Sequence, residues 1–310
     1  PRQGRRQRQM CIRDRDILVC CTNICQTVLH WYRVLADYFG CPLVLIDTPF
    51  LYHEAQDHEI AYVRRQIEDM IHVAEEVAGK KLEDERFQDV MSNARRGAEL
   101  WLEVLNRSQH RPAPMTAFDG FIHMGPIVDM RGEAVTVAYY ERMLQELDER
   151  IKRGIGAIKD EQYRVLWDNL PIWFKIGELS KWLGDRGVNV VASTYTYAWG
   201  ELAPMIDPDN PLDSMARVYL HPILNRSTGH KLDSMKQMVD DFRLDGVIMH
   251  SDRSCKPYSL GQIDQRDRLV KKLGVPALLL EADHNDPRDY SDEQGNTRLE
   301  AFVETMEARA

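Results

Sequence analysis

Residues 17–46 constrain the fold of this chain more than any other stretch. Ile17-Leu18-Val19-Cys20-Cys21 is an unbroken apolar run, as expected of a strand buried on both faces of a parallel sheet. Val28, Leu29, Tyr32, Leu35, Ala36 and Phe39 then recur at helical spacing over 26–39, and Gly40 supplies a helix stop. A second apolar run, Pro42-Leu43-Val44-Leu45-Ile46, follows at once. Strand, helix and strand in so short a span predict a βαβ unit, and a βαβ unit implies parallel pairing.

The pattern is interrupted and then resumes. Ile60, Val63, Ile67, Met70, Ile71, Ala74 and Val77 line one face of a predicted helix over 54–78, and another helix is predicted over 83–107. Arg111-Pro112-Ala113-Pro114 breaks the periodicity, and 118–132, with three glycines and a proline, reads as irregular. Residues 133–153 are again helical. Strands are predicted at 164–167, 188–192, 246–250 and 277–280, with helices at about 172–184, 211–223, 230–243, 260–273 and 292–308. Ser291 and Gln294 make a capping box for the last helix. The expected fold is α/β: two open parallel-sheet lobes of flavodoxin or Rossmann type, joined by helices around 118–155, with a cleft between them. The expected division is a tail at 1–15, an N-terminal lobe with a helical insertion at 16–130, a linking helix at 131–160 and a C-terminal lobe at 161–310.

Composition narrows the class. A chain of 310 residues with 44% apolar residues can bury a substantial core. Forty basic against 49 acidic residues leave a net charge of −9, which argues against general nucleic-acid binding and predicts a cytoplasmic enzyme. No apolar run approaches the roughly 20 residues of a membrane span, and no secretory signal is visible. Six cysteines are too few for a disulfide scaffold. Residues 1–15 hold six arginines and one aspartate, without apolar periodicity. They read as a non-native tail, so that the native start of the chain and any cysteine it carries are expected to be missing, and Cys11 is set aside.

In open parallel sheets, ligands bind beyond the carboxyl ends of the strands. Thr22-Asn23-Ile24-Cys25 follows the first strand, and Ser251-Asp252-Arg253-Ser254-Cys255-Lys256-Pro257-Tyr258-Ser259 follows the strand at 246–250. Cys25 is predicted at a helix N-terminus, where free N–H groups stabilise a thiolate. Cys255 stands between Arg253 and Lys256, whose charges favour its thiolate. Two such thiolates fit either an iron–sulfur site in the cleft or ordinary small-residue packing. Cys20, Cys21 and Cys41 read as packing residues.

Other constellations are weaker. There is neither a GxGxxG after a strand nor a GxxxxGK[ST]. His53 and His58 stand five apart rather than four, so they do not stack on one helix face as zinc ligands do. Glu281, Asp283 and Asp286 suit either a hard cation or a polar loop. Tyr195, Tyr197 and Trp199 suit either a pocket wall or packing. His250 and Asp168 suit either a titrating pocket or satisfied structural roles.

Three blocks carry a family resemblance. CCTNICQTVLHWYRVLADYFGCPLVLIDTPF (20–50), RVLWDNLPIW (164–173) and the stretch 245–304, which begins DGVIMHSDRSCKPYSLGQ, resemble the 2-hydroxyacyl-CoA dehydratase and benzoyl-CoA reductase family, with the β-type dehydratase subunit nearest. The resemblance implies one [4Fe–4S] cluster held between the lobes by three cysteines. Two map onto Cys25 and Cys255, and the third belongs to a stretch before the TNxC strand that this chain lacks. Asn23, Ser254 and Lys256 are implied neighbours of the cluster that tune it. The resemblance further implies a heterodimer with a paralogous sister subunit, an ATP-dependent iron–sulfur activator and an acyl-CoA substrate, with no nucleic acid or membrane partner. The implied reaction is removal of water from a 2-hydroxyacyl-CoA through a ketyl radical. Ring reduction, as in the reductases, and a cluster-free scaffold role are the alternatives.

Overall fold

The computed structural model describes residues 15–309; the basic segment before it, Cys11 included, and Ala310 lie outside the described residues. The elements are β1 (Leu18–Cys21), α1 (Gln26–Phe39), β2 (Leu43–Ile46), α2 (Asp57–Ala78), α3 (Asp84–Asn106), α4 (Ala117–His123), α5 (Gly125–Asp129), α6 (Ala134–Lys152), β3 (Tyr163–Asp168), α7 (Ile176–Gly184), β4 (Val188–Ser193), α8 (Thr194–Tyr197), α9 (Pro211–Leu220), α10 (Thr228–Phe242), β5 (Gly246–Asp252), α11 (Lys256–Ser259), α12 (Gln262–Arg268), β6 (Ala277–Ala282) and α13 (Asp292–Glu307). All the strand pairs among them are parallel, as the βαβ pattern requires.

The strands form two sheets, β1-β2 and β4-β3-β5-β6. The larger one is a three-layer structure. Val165, Trp167, Val188, Val190 and Ile248 face one core with Leu179 of α7 and Leu299, Phe302 and Val303 of α13. Leu166, Val247 and Met249, one residue out of step, face a second core with Met235, Met238 and Phe242 of α10. This period-2 division between two helical layers explains why β3, β4 and β5 read as continuous apolar runs. Gly246 opens β5 because a Cβ there would lie 2.6 Å from Phe302 Cζ. The helices α3 and α6 pack as a separate unit around Trp101, Val104, Tyr140 and Leu144. Trp101 Nε1 ties that unit to α8 by donating to the Thr196 carbonyl at 2.9 Å.

Two local readings need correction. Residues 118–132 are not irregular: they hold α4 and α5. Thr116 caps α4 reciprocally with Asp119, and Pro126 occupies the first turn of α5, where its missing N–H costs nothing. The punctuating residues sit where helices tolerate them. The helix predicted to run to 223 stops at Leu220, two residues before Pro222. The helix predicted over 260–273 is present as α12, continued by a π-helical turn at Leu269–Leu273, and the short helix α11 precedes it directly after Cys255, separated from it by Gly261 at φ 91°.

Packing also crosses the chain. Phe118 and Phe121 of α4 enter the core of the larger sheet. In the other direction α9 packs on α2, where Ala216 and Leu220 join Ile46, Ile60, Val63 and Ile67. The two sheets are thereby bound to each other by helices from both halves of the sequence. Among the described residues no helix is long and apolar enough to cross a membrane.

Candidate functional site

The connection from β3 to β4 runs to one side of β3, and the next strand, β5, lies on its other side. The carboxyl ends of β3 and β5 therefore flank a topological switch point, where open α/β sheets form a crevice. Asp168-Asn169-Leu170 and the loop 253–255 emerge there. The carboxyl end of β1 delivers a third loop, 22–25.

Cys25 and Cys255, 230 positions apart in sequence, meet in one buried cluster with Ile223 and Tyr258, against which Leu170, Tyr195 and Ala198 pack. Cys25 is 9% exposed and Cys255 1%. Each occupies the N-cap of the helix that follows, and neither side chain is spent on the cap. The thiols interact directly: hydrogen bonding with Cys255 is the largest influence on Cys25 and lowers it to about 7, against the opposing effect of burial. The same contact, followed by burial, pushes Cys255 up. One proton thus leaves easily from the pair and the second is held.

That result revises the expected source of activation. Arg253 turns to Glu281 and Asp289 at 3.9 and 3.8 Å. Lys256 is exposed, and its side chain makes no hydrogen bond or ion pair among the described residues. Neither cation overcomes the effect of Cys25 on Cys255, because both face water and Cys25 lies in contact. Asn23 does not face sulfur either: its Nδ2 donates to the Tyr219 carbonyl at 2.8 Å and ties the Cys25 loop to α9. Ser254 donates its hydroxyl to Asp283 Oδ2, while its N–H donates to Asp252 Oδ1 at 3.1 Å. Cys20 and Cys21 lie in β1, half-buried or deeper, with burial raising both thiols. Cys41 precedes β2, at the amino end of the sheet and away from the cluster.

The acidic residues regroup. Glu281, Asp283 and Asp286 do not converge; instead Asp252, Asp283 and His284 bring one ligand atom each within 4.8 Å of one another. His284 Nδ1 lies 2.7 Å from Asp252 Oδ2, and this bond raises its pKa. Burial opposes the ionisation of Asp283, but Ser254 and the N–H groups of Asn285 and Asp286 outweigh it and hold the carboxyl low. The group is thus satisfied from within. Asp286 is fixed by Arg288. Of the three aromatic residues, Tyr195 joins the cysteine cluster, whereas Tyr197 and Trp199 pack with the α3–α6 unit.

His250 and Asp168 are both buried. His250 Nδ1 pairs with the Leu170 carbonyl at 2.6 Å, and burial lowers its pKa. Asp168 accepts from Thr194 Oγ1 and Gln262 Nε2, each at 2.8 Å, while burial raises its pKa. Thr194, Gln262, Lys231 and His284 escaped the sequence reading, and Asp252, named there at a strand end, was given no role. Asp252 and His284 stand beside strand ends and were within reach of the strand-end rule. Thr194, Gln262 and Lys231 carry no local signal, since only the fold brings them to the switch point.

Comparison with known proteins gives the family of the chain. The family model described as 2-hydroxyglutaryl-CoA dehydratase, D-component, matches residues 7–306. The chain is 32% identical to the α subunit of (R)-2-hydroxyglutaryl-CoA dehydratase from Acidaminococcus fermentans, over 97% of this chain and 62% of that relative. It is 32% identical to the (R)-2-hydroxyisocaproyl-CoA dehydratase α subunit of Clostridioides difficile, over 95% and 72%. It is 29% identical to a benzoyl-CoA reductase subunit of Thauera aromatica, over 95% and 71%. The chain thus spans about three-fifths to three-quarters of the length of these relatives. The dehydratase subunits it matches here are α rather than the expected β type, because the TNxC and SCKPYS blocks do not by themselves separate the subunits. With its whole core and both cysteine loops inside the match, the chain belongs to the 2-hydroxyglutaryl-CoA dehydratase D-component family.

Proposed function

We propose that this chain is the cluster-holding subunit of a 2-hydroxyacyl-CoA dehydratase, with Cys25 and Cys255 as two thiolate ligands of a [4Fe–4S] cluster. The observation that carries the reading is the meeting of these two thiols in one buried cluster, each at a helix N-cap and neither engaged as a capping acceptor. The donor set fits: two sulfurs, one already poised to ionise, stand beside backbone N–H groups that favour negative sulfur. Among the described residues no third thiol joins them, so a further ligand comes from elsewhere in the assembled protein.

When bound, the cluster would supply one electron at low potential to the substrate thioester, whose ketyl form can lose the hydroxyl group. The chain's own residues supply the setting. Ile223, Tyr258, Leu170 and Tyr195 keep water from the sulfurs. Ser254 and Asn23 act through the loops: the first fixes the Cys255 loop to Asp283, and the second fixes the Cys25 loop to α9. A sister subunit, an ATP-dependent activator and an acyl-CoA substrate complete the proposal, and the curated relatives named as subunits support the first of these.

The test is iron and sulfide analysis of the protein purified without oxygen together with its sister subunit, followed by assay on 2-hydroxyacyl-CoA thioesters. Dehydration without net electron consumption is expected after activation. Net consumption of two electrons per turnover would favour the reductase reading, which the match to the Thauera aromatica benzoyl-CoA reductase supports. Absence of iron would leave a scaffold role.

A further inference from the structure

The loop carrying Cys255 is fixed by a buried polar network in which each proton has one destination. Tyr258 donates its hydroxyl to Thr194 Oγ1 at 2.7 Å, and Thr194 donates in turn to Asp168 Oδ1 at 2.8 Å. The Asn169 N–H also enters Thr194 Oγ1, at 3.1 Å, so the threonine hydroxyl spends its single proton on Asp168. Gln262 Nε2 donates to Asp168 Oδ2 at 2.8 Å and to the His250 carbonyl at 3.1 Å. Asn169, held at φ 81°, gives one amide proton to the His250 carbonyl and the other to Ser259 Oγ, at 2.8 and 3.2 Å. Ser259 donates onward to the Asp252 carbonyl at 2.8 Å. The loop 255–262 is thereby tied at Tyr258, Ser259 and Gln262 to the carboxyl ends of β3 and β5.

Charge completes the arrangement. Lys231 of α10, 6% exposed, donates Nζ to the Pro257 carbonyl at 2.5 Å and lies over the Tyr258 ring, 5.8 Å from its centroid. Burial disfavours both the ammonium of Lys231 and the carboxylate of Asp168, and each relieves the other. A buried charge is retained only where a counter-charge and hydrogen bonds offset its desolvation. Here the two charges hold the cysteine loop at two points, Lys231 at Pro257 and Asp168 at Gln262.

We propose that Asp168 is a positioning residue: as the common acceptor of the Thr194 and Gln262 bonds, with Lys231 as counter-charge, it holds Cys255 in register with Cys25. The direction of the chain requires an acceptor at its end. A carboxamide in place of the Asp168 carboxylate presents an N–H₂ to one of two donors, so one of the two bonds is lost. The inference rests on Cys255 being a cluster ligand only for its consequence in the loaded protein. The fixing of the loop concerns the apo-protein equally.

The test uses the full chain with its sister subunit and compares Asp168→Asn and Thr194→Val with the unaltered protein. In the loaded protein, iron release to a chelator is expected to quicken at least tenfold, with a changed electron paramagnetic resonance spectrum of the reduced cluster. In the apo-protein, alkylation of Cys255, followed by peptide mass spectrometry, is expected to quicken at least tenfold and by a larger factor than that of Cys25, which the network does not hold. Should either variant fail to fold, Tyr258→Phe removes only the outer bond and keeps the ring, and the same preference for Cys255 is expected at a smaller factor. Folded variants that melt earlier but leave Cys255 alkylation and the cluster spectrum unchanged would overturn the proposal and reduce the network to a structural one. If the unaltered protein holds no iron yet the variants expose Cys255, the network stands and the cluster assignment falls. If iron is present and the variants release it at the original rate, the reverse holds.

Discussion

The two cysteines arrive at their shared cluster from supports of unequal depth. Cys25 follows β1, one of two paired strands, whose residues alternate between buried and half-buried. Its loop is held by Thr22, which donates to Asp47 at 2.7 Å, and by the Asn23 bond to α9. On α1, Leu29 and Ala36 are buried, while Trp31, Val34 and Tyr38 face outward. Cys255 follows β5, which is flanked by strands on both sides and covered by helices on both faces. Its loop is tied to three further elements, β3, α8 and α10, through Asp168, Thr194 and Lys231. The same local device, a cysteine at the N-cap after a parallel strand, is thus mounted once on a thin support and once on a deep one. Buried polar ties and two-sided packing fix a position more firmly than one helix on a two-stranded sheet.

Four measurements would break or sharpen that contrast. The largest effect is expected from the sulfurs themselves. Cys25→Ser and Cys255→Ser should each bring iron content close to background in the protein purified with its sister subunit, and full retention by either would remove that residue from the ligand set. Next is hydrogen exchange: the amides of β5 should exchange at least about tenfold more slowly than those of β1, as expected for strands of different local stability. Equal rates would abolish the distinction between the two supports.

A smaller effect is expected at the tightest packing contact of the deep support. Gly246→Ala should destabilise the fold by about 1–3 kcal/mol, because the new Cβ would meet Phe302 Cζ at 2.6 Å. Denaturant melts read this directly. No shift would mean that α13 yields, and that the support is softer than its burial suggests.

The smallest expected effect concerns two glutamates that answer to one arginine. Arg226 hydrogen-bonds Glu54 at 2.8 Å, and this bond lowers the Glu54 pKa. Glu201 receives only longer-range relief from the same guanidinium, and burial raises it to about 7. With an unfolded value of about 4.3, the folded protein binds more protons at Glu201 between about pH 4.3 and 7. Stability from this group therefore falls as pH rises through that window and is level above it. Glu201→Gln should flatten that part of the profile of melting temperature against pH. An unchanged slope would assign the dependence to other groups.

Most of the local structure was legible in sequence. The six predicted strands are present with shifts of one or two residues at their ends, because buried parallel strands are long apolar runs whatever surrounds them. The misreadings arose where punctuation was taken at face value. Gly120, Gly125 and Pro126 suggest an irregular course in a stretch that forms α4, capped by Thr116 and Asp119, and α5. The cysteines were legible as candidates because strand ends are where ligands bind in such sheets. Their environments were not: Arg253 and Lys256 are adjacent to Cys255 in sequence, yet Cys25, 230 positions away, dominates it.

By itself the sequence determined the parallel α/β class, the positions of its strands and helices, and the two loops in which sulfur is presented, since all of these depend on the periodicity and side chains of short segments. Only the tertiary structure decided that β3 and β5 are neighbours, that the two thiols meet, and that Thr194, Tyr258, Gln262 and Lys231 gather around Asp168. Strand order and helix docking bring residues together across long stretches of chain, and no local propensity encodes which distant partner will satisfy a buried donor or charge.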